Sequence, residues 1–105
     1  MKNGVNSMKN YVGLENDLFG GMTDQGRIIR DAWVFGILPE SQGCAGWTLG
    51  QIQGLYEKVY AEWEKHGHIP SGLPEELRLR YLRINEQAVK RARELGWDPE
   101  LVDDH

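Results

Sequence analysis

Residues 48–67, TLGQIQGLYEKVYAEWEKHG, decide the fold. Thr48 and Gln51 match a capping box, in which each side chain satisfies the other residue's backbone N–H at a helix start. Leu49, Ile52, Leu55, Tyr56, Val59, Tyr60 and Trp63 then recur in steps of three and one. Steps of that size put them on one helical face. Lys65 and His66 suit the negative end of the helix, and Gly67 suits the left-handed position that terminates it. Gly50 and Gly54 weaken the helix slightly, but their one-turn spacing leaves room for another backbone to approach.

Downstream, HGHIPSGLP over 66–74 is a short, turn-rich link. Pro74 at a first helical position and Glu75-Glu76 in the first turn begin another helix in the order the helix dipole favours. Leu77, Tyr81, Ile84, Ala88, Ala92 and Leu95 line one face of it, Leu82 and Val89 widen that face, and Gly96 stops it. Asp98-Pro99-Glu100 reads as the start of a small terminal helix carrying Leu101 and Val102. A link this short predicts that the two long helices, about 27 Å and 31 Å at 1.5 Å per residue, form an antiparallel hairpin.

Upstream, the eleven residues ILPESQGCAGW at 37–47 form the longest expected connection. Before it, Thr23 or Asp24 is placed to cap a helix. Ile28, Ala32 and Phe35, with Ile29 and Trp33, form the apolar face of that helix. Gln25, Arg27, Arg30 and Asp31 are expected to point away from it. Gly36 and Pro39 close the helix. Leu14, Leu18, Phe19 and Met22 predict a single helical turn or a packed loop, ended by Gly20-Gly21. Residues 1–13 are rich in Asn, Gly, Ser and Lys and are expected to form a flexible tail, leaving 14–105 as one helical domain.

The composition agrees. The chain of 105 residues carries 12 basic and 16 acidic side chains, a net charge of -4, with 40% hydrophobic residues. A chain of this size holds one core. It is too apolar for a disordered segment. No stretch approaches the roughly 18 apolar residues of a membrane span, and the first twenty residues lack the apolar run of a secretory signal. We therefore expect a cytoplasmic, all-α protein with no membrane association. Its fold is expected to be a small helical bundle built on a long hairpin with one preceding helix. Four tryptophans, each able to bury roughly 150–250 Å², are more than a lone hairpin encloses. Either the first helix folds back tightly or a second copy supplies the missing wall, and we expect a homodimer.

Four signals bear on chemistry. Cys44, the single cysteine, stands between Gly43 and Gly46 just before a helix N-terminus, a place that can favour the nucleophilic thiolate. The string Gln42-Gly43-Cys44-Ala45-Gly46 superficially resembles the nucleophile segment of caspases, and Trp47 resembles the aromatic beside papain-type cysteines. Caspases carry a histidine about 50 residues upstream, however, and the first histidine here is His66, downstream. A free cysteine is also commonly a small buried apolar residue. Glu62, His66 and His68 are candidate metal ligands, with Asp103, Asp104 or His105 as a fourth. The string has no strong ligand spacing, and His66 has a structural role at a helix C-terminus. No cofactor is implied.

Along helix 75–95, Arg78, Arg80, Arg83, Lys90, Arg91 and Arg93 interleave with Glu75, Glu76, Glu86 and Glu94. A basic face can track phosphates, but mixed charges on an acidic chain suit a solvated face better, and nucleic-acid binding is not expected. Finally, Trp33, Phe35, Trp47, Tyr56, Tyr60 and Trp63 are candidate binding residues, because such rings combine large area with a polar handle. Burial in the core accounts for the same spacing. The residues point first to a small accessory or regulatory protein acting through protein–protein contacts, with an unknown partner. A thiol- or metal-dependent enzyme and a nucleic-acid binder stand as alternatives.

Overall fold

The computed structural model describes residues 10–98. Three α-helices carry the fold: α1 Asp24–Val34, α2 Leu49–Glu64 and α3 Glu75–Glu94. Short 3-10 turns at Leu14–Asn16, Leu18–Gly20 and Pro70–Gly72 complete the regular structure, and there is no strand among the described residues. The expected terminal helix after Asp98 lies outside them. None of the described helices is long and apolar enough to cross a membrane.

Local chemistry sets the helix ends. Thr23 caps α1, its hydroxyl accepting the Gly26 N–H at 3.0 Å. The capping box of α2 forms in full: Thr48 Oγ1 accepts the Gln51 N–H at 3.1 Å and Gln51 Oε1 accepts the Thr48 N–H at 2.8 Å. Pro74 is the residue before α3 rather than its first helical residue. The segment Leu14–Met22 is a pair of tight turns, held by Asp17. This carboxylate accepts Tyr11 Oη–H at 2.6 Å, Thr23 Oγ1–H at 2.5 Å and the Leu18 N–H at 2.7 Å. Tyr11, within the segment read as a tail, is tied down by its backbone. Its N–H donates to Trp47 O and its carbonyl accepts the Gly46 N–H, both at 2.8 Å.

α1 is the hub. Asp31 and Phe35, towards the end of α1, meet Trp63 near the end of α2, so the two helices point the same way. The 37–47 connection must therefore carry the chain back along α1, which explains its length. α3 runs opposite to α1. Arg80, early in α3, donates to Val34 O at 3.0 Å, while Gly20, just before α1, lies against Arg91 and Leu95 near the other end of α3. α1 packs on both long helices, and α2 and α3 pack little on each other directly. The expected hairpin seam between the two long helices is thus replaced by two seams on α1.

That placement corrects the sequence reading of α1. Arg30 and Asp31, expected to face solvent, are buried with only 7% and 8% of their surface exposed. A helix flanked on two sides has no single apolar stripe, and its polar flank is also enclosed. The main core joins Leu14, Ile29, Ala32, Cys44, Ile52, Leu55 and Val59, with Ile28, Trp33 and Trp47 packed at its border. Each fully buried Ile, Leu or Val contributes about 1.5–3 kcal/mol. The α3 side is thinner, with Val34, Leu73, Ile84 and Ala92 buried. Arg30 completes that side by donating to Gly21 O at 2.6 Å. Gly50 and Gly54 meet no other backbone, so the close approach expected there does not occur.

Candidate functional site

Because α2 and α3 stand apart on either side of α1, a groove of about 600 Å³ opens between them. Ile28 and Asp31 of α1 lie in its lining with Leu49, Ile52, Tyr56 and Trp63 of α2, His68 and Pro70 of the link, and Tyr81 of α3. The α2 contribution follows from sequence: Leu49, Tyr56 and Trp63 are seven residues apart, on the edge of the helix face whose centre, Ile52, Leu55 and Val59, is buried. Leu49 keeps 75% of its surface exposed and Tyr56 44%.

The deepest polar group is the Asp31 carboxylate. Trp63 Nε1–H donates to its Oδ2 at 3.0 Å. Its other oxygen accepts no hydrogen bond among the described residues, and the carboxylate makes no ion pair. Burial pushes its pKa above the ordinary carboxylate value, against the pull of the Trp63 hydrogen bond and the charges of Arg27 and Arg30. Asp31 also borders a second hollow of about 240 Å³ on the α1–α3 side, with Arg27, Arg30, Tyr81 and Asn85. Arg27 lies at the edge of both, exposed, and its guanidinium makes no hydrogen bond or ion pair among the described residues.

The rings fall into connected groups. Trp63 stands edge-on to Phe35, with centroids 5.2 Å apart, and edge-on to Tyr81 at 5.9 Å. Phe35 stacks on His66 at 6.1 Å. Tyr60 contacts Tyr56 at 6.3 Å and His68 at 4.8 Å. Phe35, Tyr56, Tyr60 and Trp63, named from the sequence, therefore do gather at the groove or directly behind it. Trp33 and Trp47 do not: Trp33 Nε1–H donates to Gln42 O at 2.9 Å and Trp47 borders the core, so both hold the 37–47 connection in place. The sequence reading places Asp31 facing solvent and Tyr81 on the apolar face of its helix, and neither of them in a site. A signal for Asp31 was present, because it lies three residues after Ile28 and four before Phe35, inside the apolar stripe.

The other candidates are dispersed. Cys44 is fully buried in the main core, and desolvation raises its pKa, the opposite of what an activated nucleophile needs. It leads into one end of α2, while His66 and His68 follow the other end, and neither makes a hydrogen bond to it. Glu62 takes Lys65 at 3.1 Å, and the rings of His66 and His68 are engaged as described. No group of three or more His, Cys, Asp or Glu converges as metal ligands among the described residues. Asp103, Asp104 and His105 lie outside them. On α3, Arg83 grips Glu40 with two hydrogen bonds of 3.0 and 2.7 Å and Arg80 holds Val34 O, so two members of the basic face serve as tethers. Comparison of the chain with known protein families, characterised proteins and solved structures finds no match.

Proposed function

We propose that the chain is a non-catalytic accessory protein that binds a partner protein by seating an amphipathic helix in the α2–α3 groove. The observation that carries this reading is the pair of exposed apolar side chains in the groove wall, Leu49 and Tyr56 on α2, extended outside the lining by exposed Tyr60 against Tyr56 and by exposed Ile69 between His68 and Pro70. Two antiparallel rods over a third leave the place of a fourth helix open, and filling it completes a four-helix arrangement. Apolar patches of this kind mark interaction surfaces. From Leu49 to Trp63 the groove wall runs about 21 Å, which suits a partner helix of about 14 residues. A buried free thiol also suits a reducing compartment such as the cytoplasm.

The test places a photo-crosslinking benzoylphenylalanine at Tyr56, and separately at Glu86 on the exposed side of α3, in the full chain within host extract. Adducts of one defined mass at 56, absent at 86 and lost with Leu49→Asp, support the reading. If those adducts contain a second copy of the chain, the partner is the homodimer mate. Equal labelling at 56 and 86, or no adduct at 56, overturns it.

A further inference from the structure

The floor of the groove has a chemistry that a purely apolar helix would leave unanswered. Asp31 is more than nine-tenths buried, yet among the described residues its carboxylate has a single hydrogen-bond donor and no ion pair, and an oxygen is left to the cavity. The rings of Tyr56, Trp63 and Tyr81 border the same space, with Trp63 and Tyr81 at 87° to one another, so that a ring face and a ring edge meet at a corner. Aromatic faces attract cations electrostatically, and more strongly where water is excluded. A buried carboxylate is stabilised most by an opposite charge within hydrogen-bond reach. Arg27 does not fill that role: it is exposed, one turn earlier on the same helix, and forms no ion pair with Asp31. A divalent metal ion fits poorly, since it asks for several oxygen ligands and no set of three acidic, histidine or cysteine side chains converges among the described residues.

We propose that Asp31, Tyr56, Trp63 and Tyr81 form a seat for an alkylammonium group, the ammonium against the free Asp31 oxygen and its alkyl stem along Ile28. The source is a lysine side chain of the docked helix, or a free amine of the same chemistry. The docking reading supplies the first source, while the seat itself stands on the geometry of the groove floor. Trp63 provides the readout, because its Nε1–H is bonded to the carboxylate that receives the cation.

The test follows the indole N–H resonances of the full chain by NMR at about 0.15 M salt, an ionic strength that screens non-specific attraction to the acidic surface. Trp63→Phe assigns the resonance. The probes are n-butylammonium, which reproduces the lysine side chain, and its neutral and anionic counterparts n-pentanol and butyrate. Saturable movement of the Trp63 resonance with n-butylammonium, at least tenfold tighter than with either counterpart, is expected. Asp31→Asn should weaken it at least tenfold and Tyr56→Leu, which keeps the apolar bulk, several-fold. Pentanol binding as tightly as butylammonium, or undiminished binding in both variants, overturns the seat. Should Asp31→Asn lose its helical circular dichroism, the ligand comparison and Tyr56→Leu decide alone.

Two 14-residue amphipathic peptides, one leucine–lysine and one leucine–glutamate, separate the sources. Preferential binding of the lysine peptide, displaced by butylammonium, supports a partner side chain. Binding of butylammonium with neither peptide supports a free amine and counts against helix docking. Equal binding of both peptides with no response to butylammonium overturns the seat while leaving the docking reading intact.

Discussion

Burial raises the pKa of both Asp17 and Asp31, yet the two carboxylates end up shifted in opposite directions. At Asp17 desolvation works against ionisation, but donors from Thr23, Tyr11 and the Leu18 N–H, with the charge of Arg30, outweigh it and lower the pKa. Its native pKa lies below the unfolded one, so its contribution is present above the unfolded value near 4 and is lost as pH falls through the native value. At Asp31 desolvation wins and the native pKa is raised. The native state then holds that proton more readily, so the Asp31 penalty grows as pH rises from the unfolded value through the native one. Urea midpoints between pH 2.5 and 7 should show both signs. Asp17→Asn should flatten the acid-side loss and cost roughly 1–3 kcal/mol at pH 7, the scale of hydrogen bonds to a charged group. Asp31→Asn, whose amide oxygen can still accept from Trp63, should be at least as stable as the parent at pH 7 and lose that advantage below the native pKa. Cys44 makes a third prediction at this scale. Fully enclosed and with a raised pKa, it should react with a thiol reagent at pH 8 at least a hundredfold more slowly than in denatured chain, because labelling requires opening of the core. Equal rates in folded and denatured protein would remove it from the core.

Glycines separate what was legible in each helix from what was not. The start of α2 could be read directly, since Thr48 and Gln51 are three residues apart and their capping bonds are local. Thr23 was legible for the same reason. The burial of Arg30 and Asp31 was not, because a periodicity that counts charged residues as solvent-facing assumes a helix with one covered side, and α1 has two. Gly26 was overlooked likewise, as nothing in its neighbours in sequence announces that the carbonyl of Gly21 occupies the place of its missing side chain. Gly54 drew attention by its spacing with Gly50, yet a side chain there meets nothing. The two positions therefore predict opposite outcomes for one substitution. Gly54→Ala should stabilise by about 1 kcal/mol, the intrinsic helical advantage of alanine. Gly26→Ala gains the same advantage but must displace backbone, and should destabilise by about 1–3 kcal/mol net, as overpacking does. Thermal melts of the two variants compare them, and stabilisation by Gly26→Ala would mean that α1 starts elsewhere against the Leu18–Gly21 turn.

At the scale of the whole molecule, the position of α1 makes two dissimilar seams depend on one element. The α1–α2 seam is apolar and holds most of the core, including Ile29, Ile52, Leu55 and Val59. The α1–α3 seam is thin and partly polar: Ile84 and Ala92 are its buried α3 side chains, backed by Arg30 on Gly21 O and Arg80 on Val34 O. The Arg83–Glu40 pair adds little, since both side chains are nearly half exposed and solvent screens their attraction. A hairpin of α2 and α3 would have held together without α1. Here α3 packs on α1 and on the Leu18–Gly20 turn that precedes it, so its loss uncovers one flank of α1, with Val34 and Arg30, and weakens the seam that remains. The helices should consequently unfold as one unit despite their unequal burial, the behaviour usual for a domain of this size. Val59→Ala and Ile84→Ala probe the two seams separately, with expected costs of about 1–3 and 2–5 kcal/mol as methyl groups leave close-packed surroundings. In each variant the far-ultraviolet and tryptophan-fluorescence melts should still coincide, because Trp33 and Trp63 report on α1 and α2 while the 20 residues of α3 form the largest helical segment. An early helical loss in Ile84→Ala that preceded the main fluorescence transition would instead show α3 detaching alone, and would remove from the groove the wall on which Tyr81 stands.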